Sequence, residues 1–554
     1  MKLSVCSNGN HQHESLLNKR ISARIPTEFC DGGMHIDLRV DPALGEAESY
    51  LVKQTADGWR ITGSDELGLY FGIGKFLHCA KWNGDDFIPM ETDGVITPAC
   101  DFRAIYFAVH FYNWYQNAPA EELEAYLEDL LLWGYNAIIC ICPIINIMDF
   151  EDPLFFECVE KARKMFRVAQ KLGMKKGLIL DNNQGMKSSP HALDADLSFD
   201  PVGRRGTIGR NLCLSKPGAM EHMRLIYDAQ LKQYTDVRLE YIISWPYDEG
   251  GCGCQDCRPW GARKYLDSCK VIREVAQQYY PEAKFIVSTW LFDTPTDEGE
   301  FAGFYERLQT DMSWVDYIMC DAHAEFPRYP LVHTPIKPIV NFPEISMWKL
   351  YPWGGYGANP MPRRFQEIWN EVKHMASGGM PYSEGMYEDI SKVQCVGYYW
   401  DPNREWSDIL SEYICYEFDA AACSDILEMI CCIESNHVAT GNVHQPDLDL
   451  ALRAGRLARD VDARLSERAN NNWRWRILYI RAILDEKRHR YYFEHNMQGE
   501  EDLWILRNYS GVFLAKDAEA QMLFRELRRL YHCVPFNGEN SWTLPPLNGC
   551  TVIG

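Results

Sequence analysis

The stretch SWPYDEGGCGCQDCRPWG, Ser244–Gly261, gathers the side chains best suited to chemistry: two adjacent acids, Asp248 and Glu249, then two glycines, then cysteines in CxCxxC spacing. Adjacent acids after an extended run point in different directions. One can protonate a leaving oxygen while its neighbour addresses another group of the substrate. An exposed acidic turn would show the same spacing. Cys252, Cys254 and Cys257 bring three thiols within reach of one ion. A structural zinc wants four tetrahedral ligands, and His110, Cys213 or Cys320 could complete the set. Thiols bracing a tight loop without metal are the alternative, and the chemistry of the acids requires no cofactor.

The acids follow an apolar run, LEYIISW, which is one of eight between about Asp101 and Asn403. The others are FRAIYFAVH, YNAIICIC, KKGLILD, KFIVSTWLFD, VDYIMCDAH, IKPIVNFPE and GGMPYSEG. Amphipathic stretches such as EELEAYLEDLLLWG alternate with them at roughly 40-residue intervals, the rhythm of βα units. Eight such units predict a (β/α)8 barrel over residues 101–405. Ahead of it, residues 1–100 read as a small α+β domain. Behind it, residues 406–554 read as an α-helical domain. The glycines of Gly68-x3-Gly72-x-Gly74 lie within a helical stretch with no strand leading into it, so they do not read as a nucleotide-binding loop.

In such a barrel the loops after the strand C-termini hold the active site. The polar residues expected there are Arg103, His110 and Asn113 from strand one, Asp181 and Asn182 from strand three, and Tyr247, Asp248 and Glu249 from strand four. Strands five to eight add Trp290 and Asp293, Asp321 and His323, Asn341 and Glu344, then Tyr382, Glu384 and Glu388. Carboxylates among aromatic rings suit glycosidic cleavage, in which one carboxyl protonates the leaving oxygen and another group meets the oxocarbenium charge. Asp181 and Asp321 could equally cap the helices that follow them. Neither a phosphate-binding loop nor a GxSxG elbow is present.

The chain resembles glycoside hydrolase family 20 and related hexosaminidase-like families, in its domain order through GWRITGSDELGLYFGIGKFL, in Arg103 on the first strand, and in the Asp248-Glu249 pair. The resemblance implies an exo-acting, retaining β-N-acetylhexosaminidase-like enzyme, with Glu249 as general acid/base and Asp248 orienting a substrate 2-acetamido group that attacks the anomeric carbon. It also implies sugar contacts from Arg103, Trp290, Tyr382 and Glu384. The family's His-x-Gly-Gly run before the pair is replaced by Ser244-Trp245-Pro246-Tyr247. A retaining glycosidase with Glu344 as nucleophile fits the placement as well, and the domain order also suits an α-glucuronidase-like enzyme. A carbohydrate-binding barrel without turnover is the non-enzymatic reading.

A net charge of −22 over 554 residues argues against nucleic-acid or anionic-membrane partners. The Arg-rich segment WRWRILYIRAILDEKRHRYY reads as a helix docked on acidic neighbours. The first twenty residues lack an apolar stretch, and twenty cysteines in a long chain fit a reducing compartment, so a cytoplasmic location is expected. An oligosaccharide or glycoside is the expected partner, and a homo-oligomer stays open.

Overall fold

The computed structural model describes the chain apart from residues 10, 31, 84–85, 110–112, 143–147, 199–209, 247–249, 294–297, 323–324, 347–357, 438–446, 498–513, 533, 536–541 and 544–554. Seven of the eight apolar runs contain a strand, Phe102–Phe107, Ala137–Ile141, Lys175–Asp181, Tyr241–Trp245, Lys284–Ser288, Tyr317–Ala322 and Ile339–Pro343, and the eighth strand, Ala376–Gly379, begins two residues before its run. Each runs parallel to the next, and the eighth also pairs with the first through Gly378 and Gly379, opposite Phe102 and Arg103. A short extension, Tyr382–Ser383, continues along the first strand beside Tyr106 and Phe107. The sheet is therefore closed, a (β/α)8 barrel. Its strands face side chains inside and helices outside, so nearly every strand residue is buried and the runs lack polar alternation.

Helices fill the intervals, and their ends follow local chemistry. Ala120–Trp133 stops at Gly134, whose φ of 115° suits a left-handed cap that glycine adopts freely. Pro153–Lys171 starts at Asp152, whose carboxylate accepts from Leu154 N.

Before the barrel, strands order as Glu28–Phe29, Lys2–Ser7, Met34–Val40, Gly58–Gly63 and Tyr50–Thr55 in one sheet, with helices His11–Ser22 and Glu66–His78. The Gly68/Gly72/Gly74 residues lie in the second helix. A Cβ on Gly74 would fall 1.9 Å from the Leu132 carbonyl oxygen, so these glycines serve close packing. After the barrel come Trp406–Glu417, Cys423–Ser435, Leu448–Asp462, Trp473–Glu494 and Ala518–Tyr531. The Arg-rich helix is Trp473–Glu494, and its arginines do meet acids: Arg474 pairs with Asp389 at 2.7 Å and Asp129 at 2.8 Å, and Arg476 with Glu526 at 2.7 Å. No described helix is long and apolar enough to cross a membrane.

Candidate active site

The barrel's C-terminal end carries a connected layer of aromatic rings. Trp245, closing strand four, lies 5.2 Å from Trp290 and 5.4 Å from Phe342, centroid to centroid. Tyr382 joins the layer 6.1 Å from Phe342, and Tyr106 bridges the two. Trp290 is only 3% exposed, so this layer is the floor of the mouth.

Two acids stand over strands seven and eight. Glu344 directly follows strand seven, bridges to Tyr382, and accepts from Ser346 N at 2.7 Å. Glu384 accepts from the Tyr382 hydroxyl at 2.8 Å and the Tyr387 hydroxyl at 3.4 Å. Burial pushes the Glu384 carboxyl up to about 7, against the hydrogen bond from Tyr382, and the Glu388 carboxylate raises it further. Glu388 is fully buried and accepts from Ser383 Oγ and from Glu384 N, both at 2.8 Å, with Lys392 Nζ 3.3 Å away. That lysine donates to Tyr115 Oη, Tyr126 Oη and the Gly385 carbonyl. Glu388 therefore holds the backbone of Glu384, and Lys392 supplies the charge that lets it be buried.

At the strand-four corner, Tyr247, Asp248 and Glu249 lie outside the described residues, as do His110 and His323. Their flanks are tightly held. Trp260 Nε1 donates to the Pro246 carbonyl at 2.8 Å. Asn183 grips Gly251 twice, accepting from its N–H and donating to its carbonyl, each at 2.8 Å. A Cβ on Gly250 would sit 2.7 Å from Asn183 Oδ1, so only glycine fits beside that amide. Asn183 escapes a reading by motif, although it directly follows Asn182 at the end of strand three.

Asp181 and Asp321 occupy the predicted strand ends, both half-buried. Other expectations need correction. Arg103 is the second residue of strand one, at the opposite end of the barrel. Its guanidinium donates to the Gly134 carbonyl at 2.9 Å, the Cys100 carbonyl at 2.7 Å and Glu48 Oε2 at 2.6 Å, and it is 0% exposed. It cannot hold a sugar at the mouth. Asn113 caps the short helix Trp114–Asn117: its Oδ1 accepts from Tyr115 N while its Nδ2 donates to the Ala108 carbonyl. Its amide is spent on backbone. Asn182 is likewise inward, donating to the Tyr265 carbonyl and bonded to Ser244 Oγ. Asp293 accepts from Glu300 N at 2.7 Å and so caps the helix Glu300–Thr310.

Cys252, Cys254 and Cys257 do converge, and the fourth thiol is Cys213: the four sulfurs lie within 4.8 Å of one another. Cys320 is elsewhere, accepting from Thr289 Oγ1 at 3.6 Å.

The fold is that of known glycoside hydrolases. A family GH115 4-O-methyl-α-glucuronidase with specificity for decorated arabinogalactans aligns with a TM-score of 0.62 at 11% identity, over 97% of this chain and 77% of that one. A family GH89 enzyme from Clostridium perfringens, solved with GlcNAc-α-1,4-galactose, aligns at 0.60 and 12% identity, over 94% and 65%. A family 20 β-N-acetylglucosaminidase aligns at 0.45 and 12% identity, over 81% and 90%, too loose an overlay to argue from. No family model matches the sequence, and no curated protein matches it.

Proposed function

We propose that this protein is a glycoside hydrolase that cleaves at the C-terminal mouth of its barrel. The observation that carries the reading is the pair of buried acids, Glu344 and Glu384, on neighbouring strands above an aromatic floor, with Glu384 keeping a proton to about pH 7. Aromatic faces receive the apolar face of a sugar ring, and acids in different protonation states serve its hydroxyls and its reacting carbon. Glu249 is the general acid/base, protonating the leaving oxygen and then activating water. A protonated Glu384 donates a hydrogen bond to a sugar hydroxyl.

For the substrate we propose a terminal 2-acetamido sugar, attacked by its own acetamido oxygen under the orientation of Asp248 and released with retained configuration. The Asp-Glu pair supports this, as do family 89 structures solved with GlcNAc-α-1,4-galactose and with 2-acetamido-1,2-dideoxynojirimycin. A second reading makes Glu344 the nucleophile. It is favoured by the position of that carboxylate straight after strand seven, oriented by Ser346 N.

A panel of aryl glycosides, including α-glucuronides and sugars with and without the 2-acetamido group, tests both. Glu249→Gln should lower kcat/KM by at least about 10³-fold, the scale of a lost general acid in a glycosidase. Preference for 2-acetamido substrates, with no labelling by 2-deoxy-2-fluoro glycosides, supports the first route. Covalent trapping on Glu344 transfers the role of Asp248 to it. Sugar binding that survives Glu249→Gln, with no turnover on any substrate, would leave a binding protein.

A further inference from the structure

We propose that Cys213, Cys252, Cys254 and Cys257 together bind one zinc ion as a closed tetrathiolate, which clamps the segment after strand four to the long loop after strand three. Tetrahedral zinc with sulfur at about 2.3 Å places its four sulfurs about 3.8 Å apart. The Cys213 sulfur lies 3.6 Å from that of Cys254 and 3.9 Å from that of Cys257, so the cluster brackets the required edge before any ion enters. A disulfide needs its sulfurs at about 2.05 Å, and these thiols are unpaired.

The surroundings suit thiolates. Asp196 N lies 3.5 Å from the Cys252 sulfur, and Ser215 Oγ lies 3.1 Å from that of Cys257. Cys213, Cys252 and Cys257 are buried, and Cys254 is half-buried. A site with four protein sulfurs and no open position is structural, unlike catalytic zinc, which keeps one position for water. Binding releases the thiol protons to solvent as the four thiolates take the ion.

The two segments joined are already adjacent. Leu212 N donates to the Asn183 carbonyl at 2.9 Å, and Gly253 N to the Asp196 carbonyl at 2.7 Å. Asn183 in turn grips Gly251, and Cys252 is the third residue after Glu249. The ion therefore ties down the C-terminal flank of the acid pair, while Trp260 holds Pro246 on the other side.

The test is metal content of the full chain, purified under reducing conditions and measured by elemental mass spectrometry, with Co²⁺ replacing zinc as an optical probe. About one zinc per chain is expected, with the sulfur-to-cobalt charge-transfer bands of a tetrahedral tetrathiolate. Cys213→Ser should cut zinc content at least about tenfold, whereas Cys320→Ser, a buried thiol outside the cluster, should retain it. Wild-type protein that stays metal-free after equimolar zinc, with all four thiols open to alkylation, overturns the proposal. So does a Co²⁺ spectrum without thiolate bands, even if Cys213→Ser fails to fold. Neither readout uses a substrate, so the metal site stands or falls apart from the glycosidase reading.

Discussion

Two buried glutamates at opposite ends of the barrel show what separates construction from chemistry. Glu48, from the segment that precedes the barrel, reaches the base of the barrel. It accepts from Arg103 at 2.6 Å, Lys175 at 2.8 Å and Asn136 at 2.8 Å. Burial alone would raise its carboxyl, yet the two cations hold it below the usual range. Glu384, at the mouth, is buried as deeply but bonded to two phenols, and the charge acting on it is another carboxylate, Glu388. Its carboxyl rises to about 7. Equal burial thus yields a fixed anion at one end and a group poised to exchange a proton at the other. Uncompensated burial is costly, and sites that need such a group are where proteins keep it.

The largest effect should come from breaking the base. Arg103→Met leaves Glu48 buried with less compensating charge and removes a guanidinium stacked 4.6 Å from the Trp400 ring and 5.1 Å from Phe71. Losing one partner of a buried pair costs about 3–5 kcal/mol. Urea unfolding should show that loss, while kcat/KM of the folded fraction stays within about twofold of wild type. Unchanged stability with lost activity would return Arg103 to the mouth and erase the contrast.

Next comes Glu384→Gln, read against pH. A carboxyl whose folded value is raised holds its proton in the native state while the unfolded chain gives it up. Stability therefore falls as pH rises from the ordinary carboxylate range to about 7, and the full cost is present above that. The variant should be more stable than wild type at pH 8 by up to about 3 kcal/mol, and close to it at pH 4. Glu48→Gln should show the reverse sign: a lowered carboxyl contributes stability above the ordinary range, lost as pH falls through its folded value. Denaturation midpoints at the two pH values decide, and a gap for Glu384→Gln that does not change with pH removes the poised carboxyl.

The same divide runs between what a local stretch of sequence encodes and what only the fold brings together. The eight strands were legible because a parallel barrel buries both faces of each strand, leaving continuous apolar runs such as NAIICIC and YIISW. The longer helices described in the C-terminal region were legible through their 3.6-residue period. Arg103 was placed on the right strand and at the wrong end: a strand's first residues lie at the base, and its last residues at the mouth. Glu48 gave no warning, since it lies before the barrel, 55 residues earlier in the chain than Arg103. Three cysteines were visible by spacing, but Cys213 shares no motif with them and meets them only because the loop after strand three returns beside the residues from Gly251 onward. Glu384 could be listed as an acid at a strand end. Its raised proton affinity comes from burial and from Glu388, against the hydrogen bonds of Tyr382 and Tyr387, and no local pattern encodes that balance.

The smallest effect, and the finest test of the contrast, is at Tyr382. Its hydroxyl donates to Glu384 at 2.8 Å and is the strongest influence holding that carboxyl down against burial. Phenylalanine would keep the ring in the aromatic floor, 5.3 Å from Tyr106, and remove only the donor. Tyr382→Phe should therefore raise the Glu384 carboxyl further, by about one unit, the worth of one hydrogen bond to a charged group at about 1–2 kcal/mol. If a protonated Glu384 is needed for substrate, the alkaline limb of kcat/KM moves up by the same amount while the acid limb stays. A limb that moves down, or both limbs moving together, would mean that the phenol accepts from Glu384 instead of donating to it, and that the proton at the mouth belongs to a different pair.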